Sequence, residues 1–197
     1  MAAGPLLVVL TGPSGAGKDS VRARLKSLGR PYAFIVTTTT RPRRAGEQGG
    51  EELTFVSRAQ FERLLERGGL LEHAVVYGQR YGVPRAPVQK ALARGEDVVL
   101  RTDVQGARHI KSVAPAAITI FIAPPSEEEL RRRLLSRGGD SAQQQALRLR
   151  LAQEEMASAS EFDHVVINDD LERCTREIED ILARERARPG SDPIVLQ

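Results

Sequence analysis

The segment LLVVLTGPSGAGKDS, residues 6–20, constrains this chain more than any other part of its sequence. Its apolar first half predicts a buried β-strand, and the residues that follow, with Val21 and Leu25 near one face, predict a helix. The glycine-rich turn between them matches the pattern GxxxxGK, which ends at Lys18. Small residues let successive backbone N–H groups converge on one point, where the positive end of the helix dipole and the lysine also act. The segment therefore predicts a site for nucleotide phosphates, because an ordinary surface turn would not require this arrangement.

The position after the lysine departs from the usual pattern. It normally holds Ser or Thr, whose hydroxyl binds Mg2+, whereas this chain has Asp19 there and Ser20 one place later. The Asp19 carboxylate can ligate the metal directly, lie in its water shell, or cap the helix. The sequence does not choose among these three roles.

Length and composition limit the class of protein. With 197 residues the chain is expected to form one domain with a substantial core, and its single cysteine, Cys174, cannot form an internal disulfide. The net charge of +3 is modest and only 4% of the residues are aromatic, so sites for small anions are favoured over a nucleic-acid surface. No apolar run approaches the roughly 20 residues that span a bilayer, and residues 1–5 are too short for a signal peptide. We therefore expect a cytoplasmic protein with no nucleic-acid and no membrane partner.

Strand and helix patterns alternate along the chain. This alternation predicts an α/β fold with a mainly parallel sheet, helices on both faces, and ligands at the carboxyl ends of the strands. Residues 37–81 interrupt it and indicate an inserted lobe, residues 137–145 suggest a mobile lid, and residues 188–197 a loose tail. Strands are predicted at residues 6–10, 34–37, 70–76, 97–100, 117–122 and 164–167, and helices at 20–27, 58–67, 85–93, 105–111, 127–136, 144–157 and 172–186.

Several motifs, in order and spacing, resemble those of guanylate kinases over residues 6–186. By this resemblance the chain has the P-loop three-layer α/β fold, with a core of residues 6–36 and 84–186, a GMP-binding lobe at 37–83 and a lid at about 137–147. It would transfer the γ-phosphoryl group of ATP to GMP or dGMP with Mg2+ as cofactor, as a monomer or a weak homodimer. The motifs are GPSGAGKDS (12–20), TTTTRPRRAGE (37–47), LLEHAVVYGQRYG (70–82), LRTDVQGA (100–107), IFIAPPS (120–126), LRRRLLSRG (130–138) and VINDD (166–170).

The resemblance also implies which residues bind ATP and which are catalytic. Phosphoryl transfer brings many negative charges into one cleft, so it depends on positioning and on cations. The expected catalytic residues are Lys18, Arg41 and the lid arginines Arg133, Arg137 and Arg148. The expected ATP-binding residues are Gly12, Pro13, Ser14, Gly15, Ala16, Gly17, Lys18, Asp19 and Ser20, with Asn168 and Asp169 near the adenine and Asp19 as a candidate Mg2+ ligand.

For GMP, the resemblance assigns Arg41, Arg44 and Tyr81 to the phosphate. Guanine presents N1–H and an amine as donors, so a carboxylate favours guanine and repels adenine. Glu72 and Asp103 match the carboxylates of the guanine pocket. The alternative interpretations are an ordinary strand-end charge for Glu72 and a helix N-cap for Asp103.

Four positions near the GMP site depart from the common family pattern. Thr37 replaces a serine and keeps the hydroxyl, whereas Val83 stands where Ser or Thr usually offers a hydroxyl to the base. Leu53 occupies the place of a tyrosine that usually binds the GMP phosphate, and Arg101 replaces an acidic residue. Thr37 and Val83 remain among the expected GMP-binding positions.

Two other functions are compatible with parts of the sequence. A ribose 1,5-bisphosphate phosphokinase of the same fold resembles GKDS at 17–20 and YGV at 81–83, but Arg41, Arg44, Glu72 and Asp103 favour a nucleotide acceptor. A non-catalytic guanylate-kinase-like binding module keeps the GMP lobe and degrades the phosphate loop. Lys18 and the lid arginines argue against that module.

Overall fold

The computed structural model describes residues 4–43, 49–50, 53–76, 78–136, 142–188 and 194–196. These residues form nine β-strands and seven α-helices, and most predicted elements are present with ends shifted by at most two residues. The strands are β1 (Leu7–Thr11), β2 (Tyr32–Phe34), β3 (Thr37–Thr39), β4 (Leu53–Phe55), β5 (Leu70–Val76), β6 (Gln79–Pro84), β7 (Asp97–Arg101), β8 (Ile118–Ala123) and β9 (His164–Ile167). The helices are α1 (Lys18–Ser27), α2 (Arg58–Glu66), α3 (Arg85–Ala93), α4 (Val104–Val113), α5 (Glu127–Leu135), α6 (Ala142–Ala157) and α7 (Leu171–Ala187).

The larger sheet is parallel throughout and has the strand order β2-β7-β1-β8-β9. The side chains of its middle strand, β1, alternate between two apolar clusters. Leu7 and Val9 pack in the cluster that contains α3 and α4, whereas Val8 and Leu10 pack in the cluster that contains α1 and α7. Helices therefore cover both faces, and the predicted α/β class with a mainly parallel sheet is confirmed.

A second sheet lies entirely within residues 37–84 and has the order β4-β3-β6-β5. Strands β3 and β4 are parallel, while β6 runs antiparallel to both β3 and β5. The fully buried Phe61 of α2 packs against β6 at Gly82, where a Cβ atom would lie 3.1 Å from the Phe61 ring. This sheet carries Glu72 and Tyr81, two of the residues assigned to GMP.

The single strand predicted at residues 34–37 is two strands in the structure. Strand β2 ends at Phe34 beside β7, and β3 begins at Thr37 in the second sheet. The Ile35 N–H still donates to the Val99 carbonyl oxygen at 3.3 Å before the chain leaves the larger sheet. A continuous β-branched run favours extended backbone but carries no information about a change of sheet.

The C-terminal part of the described chain contacts the core. Helix α7 packs beside α1, and Ile194 and Leu196, which lie in the predicted loose tail, pack against the apolar cluster that contains Leu7. Within the residues that the structure describes, no helix is both long and apolar enough to cross a membrane. Of the predicted lid, residues 137–141 lie outside the described residues, and residues 142–147 form the start of α6.

Candidate active site

The phosphate loop, residues 12–17, joins the carboxyl end of β1 to the start of α1. Gly12 has φ 129°, and a Cβ atom there would lie 2.2 Å from the Ile122 carbonyl oxygen. Gly17 has φ 92°, and its Cβ atom would lie 2.2 Å from Asn168 Nδ2. Both positions therefore require glycine, because any side chain would collide with neighbouring groups and strain the backbone.

Lys18 lies folded back over this loop. Its Nζ donates to the carbonyl oxygens of Gly12 at 2.6 Å and of Pro13 at 2.9 Å. Burial lowers the pKa of the Lys18 ammonium to about 8, and the negative charge of Glu155 opposes that shift. Two carbonyl oxygens of the loop thus hold the lysine ammonium against the phosphate loop.

Glu155 is a member of this site that sequence reasoning missed. It lies on α6, and its Oε2 accepts a hydrogen bond from the Ser14 backbone N–H at 3.3 Å. Burial raises the pKa of its carboxyl, whereas the Lys18 charge and the Ser14 bond lower it. Arg148 and Glu155 are seven residues, about two helical turns, apart and both line the cleft. In the sequence, only this spacing from an assigned arginine pointed to Glu155 as a residue on the same face of the helix.

Asn168 and Arg133 support the loop from behind. Asn168 is buried, and its Nδ2 donates to the Ala16 carbonyl oxygen at 2.8 Å. Arg133 Nη2 donates to the Asn168 carbonyl oxygen at 2.9 Å, Nη1 donates to Ala16 at 3.4 Å, and Nε pairs with Glu129 at 2.7 Å. In this structure Arg133 is therefore engaged with loop backbone, and the contact with ATP phosphates implied by the family resemblance stays a prediction.

The phosphate loop and the second sheet enclose a cleft of about 190 Å³. The cleft brings together many of the residues assigned to either substrate. Its lining residues are Gly12, Ser14, Gly15, Gly17, Lys18, Asp19, Thr37, Arg41, Leu53, Glu72, Ala74, Val76, Tyr81, Arg101, Thr102, Asp103, Arg148 and Glu155.

The remaining assigned residues lie outside this lining or outside the described residues. The exposed Asp169 pairs with Arg173 on α7. Val83 is 1% exposed, lies opposite Glu72 in the β5–β6 register, and packs in the core. The others that do not line the cleft are Pro13, Ala16, Ser20, Arg133 and Asn168. Arg44 and Arg137 fall outside the described residues.

Glu72 and Asp103 form a pair of neighbouring carboxyl groups in the lining of the cleft. Glu72 lies in β5 with only 4% exposure, and burial followed by the Asp103 charge raises the pKa of its carboxyl to about 8. Asp103 lies at the end of β7 and accepts the Gly106 N–H at 2.7 Å, as the N-cap of α4. Burial raises the pKa of Asp103 as well. Asp103 thus caps a helix, as one interpretation of the sequence expected, and it also lines the cleft, while its contact with guanine stays a prediction.

Gly106 provides the space for this carboxyl pair. A Cβ atom at Gly106 would lie 2.6 Å from Glu72 Oε1, so any larger residue would displace the Glu72 carboxylate. The same glycine donates its N–H to Asp103. The motif LRTDVQGA gives no role to its glycine at the level of sequence. The packing of β5 against α4 shows that Gly106 leaves room for the Glu72 carboxylate.

Asp19 is half-exposed and lines the cleft directly after Lys18. Its Oδ1 lies 3.0 Å from Arg101 Nε, at the carboxyl end of β7. Among the residues that the structure describes, no group of three or more His, Cys, Asp or Glu side chains could hold a metal ion. Because Mg2+ is commonly held by one or two carboxylates together with substrate phosphates and water, a single carboxylate at Asp19 fits a nucleotide-bound ion.

The comparisons with known proteins agree with this geometry. A family model described as guanylate kinase matches residues 5–185. A guanylate kinase of Thermus thermophilus is 47% identical over 93% of this chain and 83% of its own length. The guanylate kinase of Carboxydothermus hydrogenoformans is 40% identical over 93% of this chain and 90% of its own length.

A solved structure leads to the same family. The crystal structure of guanylate kinase from Anaplasma phagocytophilum superposes with a TM-score of 0.82 at 33% identity and covers 96% of this chain and 90% of that chain. Its P-loop fold accounts for the phosphate loop after β1 and for the parallel sheet. The chain therefore belongs to the guanylate kinase family and acts as a nucleoside monophosphate kinase.

Proposed function

We propose that this cleft transfers the γ-phosphoryl group of ATP to GMP or dGMP, with Mg2+ bound to the nucleotide phosphates. The observation that carries the proposal is that one cleft is lined both by the lysine-bearing phosphate loop and by the carboxyl groups of Glu72, in the second sheet, and Asp103, after β7. One side suits the phosphates of a donor and the other suits the base of an acceptor. Neither a ribose bisphosphate nor a purely binding role would use both sides.

On the donor side, the ATP phosphates lie against residues 12–18 at the start of α1. Converging N–H groups and the helix dipole stabilise anions there. Lys18 Nζ contacts the carbonyl oxygens of Gly12 and Pro13. A phosphate oxygen is charged, so it binds the Lys18 ammonium more strongly than a carbonyl oxygen does. The lysine thus stabilises the negative charge on the transferred group.

On the acceptor side, guanine lies against Glu72 and Asp103. Its N1–H and amine groups donate to carboxylate oxygens, whereas adenine would present an acceptor at N1. Donors stabilise the charged form of a carboxyl group, so guanine binding opposes the burial that raises the Glu72 pKa. Base selection and the protonation state of Glu72 are therefore coupled.

Arg41 and Arg148 also line the cleft. Guanidinium groups bind phosphate oxygens with two parallel donors and hold them in a fixed orientation. Arg44 and Arg137 are proposed to add to this set, at the GMP phosphate and at the lid. Together these arginines position the two substrates and stabilise the negative charge that accumulates when the two sets of phosphates come close together.

For Mg2+, the residue proposed to approach it is Asp19, either directly or through a bound water. The ion supplies charge neutralisation of the donor phosphates when bound. The half-exposed carboxylate beside Lys18 supports this placement.

A coupled ADP-release assay tests the proposal. We expect turnover with GMP and dGMP and little with AMP, UMP, CMP or ribose 1,5-bisphosphate. Lys18→Ala should lower kcat by at least about 100-fold while the circular dichroism spectrum stays unchanged. Equal rates with AMP and GMP, or near-parental turnover in a folded Lys18→Ala variant, would contradict the proposed site.

We also propose a cytoplasmic location and a role in purine nucleotide metabolism. The single cysteine, Cys174, cannot form an internal disulfide, and such cysteine usage suits a reducing compartment. Cell fractionation tests the location. Sedimentation velocity tests the expected monomer or weak homodimer.

A further inference from the structure

The first turn of α1 carries an acid where phosphates are expected to bind. Asp19 follows Lys18 directly, in the position where the phosphate-loop pattern has Ser or Thr. Its side chain is 51% exposed and lines the same cleft as the loop glycines. A carboxylate at this point repels the phosphates of a nucleotide, so the loop needs something to offset its charge.

Arg101 lies where it can offset that charge. It is the last residue of β7, the strand adjacent to β1, and its Nε lies 3.0 Å from Asp19 Oδ1. Its side chain is only 19% exposed, so water screens this ion pair less than a surface pair. The Arg101 charge also acts on Lys18, whose pKa it lowers. The guanidinium is therefore close to both charged residues at the start of α1.

Several charged groups lie around Lys18, and Arg101 offsets the negative ones. In the described part of the chain, the negative charges of Glu155, Asp19 and Asp103 raise the pKa of the Lys18 ammonium, and the positive charge of Arg101 opposes them. Without Arg101, three carboxyl groups would surround a single ammonium. Their negative charges would then oppose the binding of nucleotide phosphates at the loop.

We propose that Arg101 is a positioning residue that neutralises and orients the Asp19 carboxylate, so that the phosphate loop can bind nucleotide phosphates despite the acid in its first helical turn. The proposal rests on the placement of the ATP phosphates at residues 12–18. Asp19 and Arg101 then form one unit, and each residue is tolerated in the cleft because of the other.

A double-mutant cycle measured by isothermal titration calorimetry tests this unit. The probe is ADP in the presence of EDTA, so neither Mg2+ nor catalysis contributes to the measured Kd. Arg101→Gln should weaken ADP binding about tenfold, because Asp19 is left unpaired beside the phosphates. In the Asp19→Ser background the same change should cost about threefold or less, because no acid remains to be neutralised.

Three further variants separate the explanations. Arg24→Gln removes an equal charge from α1 at a surface pair with Glu172 and should leave the Kd within about twofold. Arg101→Lys keeps the charge and should bind ADP within about threefold of the parent, which also covers the case in which Arg101→Gln does not fold. Lys18→Ala in the same titration tests the loop placement by itself.

A positional role has a clear expected pattern, namely a large effect of Arg101→Gln that Asp19→Ser removes. Equal weakening in both backgrounds would overturn the proposal, since Arg101 would then act on phosphate or on the fold without Asp19. Unchanged ADP binding in Arg101→Gln would overturn it as well.

Discussion

Raising the pH from 7 to 8.5 should tighten GMP binding to the enzyme in the absence of ATP. The reason is Glu72, whose carboxyl has a pKa of about 8 because it is buried in β5 next to Asp103. Before GMP binds, this group is mostly protonated at pH 7, and a protonated carboxyl offers one acceptor fewer to the two donors of guanine. Binding of GMP therefore requires the release of a proton.

The expected magnitude follows from the titration of one group. With a pKa of about 8, about one Glu72 in ten is charged at pH 7 and about three in four at pH 8.5. If only the charged form accepts both donors, the Kd for GMP falls about eightfold over this interval. The GMP phosphate has its second pKa near 6, so its own charge changes little above pH 7.

Isothermal titration calorimetry measures both the Kd and the protons released, when repeated in buffers with different heats of ionisation. We expect about 0.9 proton released per GMP bound at pH 7 and about 0.2 at pH 8.5. Glu72→Gln should bind GMP more weakly and should lose the roughly eightfold tightening between pH 7 and 8.5. Glu66→Gln, an exposed glutamate of the same lobe, should behave like the parent.

A Kd that stays constant between pH 7 and 8.5, with no proton release, would refute the reasoning. Either Glu72 would then be charged before GMP binds, or guanine would not contact it. A pH dependence that survives in Glu72→Gln would show that another group is responsible.

Three other predictions concern residues in or beside the same cleft. Glu155→Gln should tighten ADP binding about threefold or more, because the Glu155 carboxylate, which accepts from the Ser14 N–H, competes with phosphate. The control is Glu154→Gln, at an exposed position, which should leave ADP binding unchanged in calorimetry without Mg2+. Weaker ADP binding in Glu155→Gln would contradict this role. Gly106→Ala should weaken GMP binding at least about tenfold and leave ADP binding unchanged, because the Cβ atom of the alanine displaces the Glu72 carboxylate. An equal loss of affinity for GMP and for ADP would indicate a folding defect instead. Folding raises the Glu72 pKa, so the parent loses stability as the pH rises from about 4.5 to about 8. The Tm of Glu72→Gln relative to the parent should therefore be roughly 10 °C higher at pH 8 than at pH 5, and an equal Tm difference at the two pH values in scanning calorimetry would contradict this reasoning.

Local sequence patterns were sufficient for most of the fold. The apolar run before Gly12 predicted β1, and regular helical spacing predicted α1 and α5 closely. The same approach failed at residues 34–37, where the chain passes from one sheet to the other between Phe34 and Thr37. Strand propensity is a property of neighbouring residues, whereas sheet membership depends on hydrogen-bond partners elsewhere in the chain.

For the candidate site, the sequence indicated residue types but not their partners. Lys18 and Asp103 were identified because their motifs are local, and both line the cleft. Glu155 was missed because a single glutamate on a helix has no distinctive pattern until the helix packs against the phosphate loop. Only the structure shows that the Arg133 guanidinium donates to the carbonyl oxygens of Ala16 and Asn168, and its contact with phosphates stays a prediction.

The sequence by itself determined the α/β class, the phosphate loop and the family, because each depends on patterns of neighbouring residues that any folded form must accommodate. Only the tertiary structure decided the charge states and pairings in the cleft. Glu72 has a raised pKa because β5 buries it near Asp103, and Asp19 is paired because β7 brings Arg101 beside α1. Burial and ion pairing depend on distances between residues far apart in the chain, and those distances exist only once the sheets have formed.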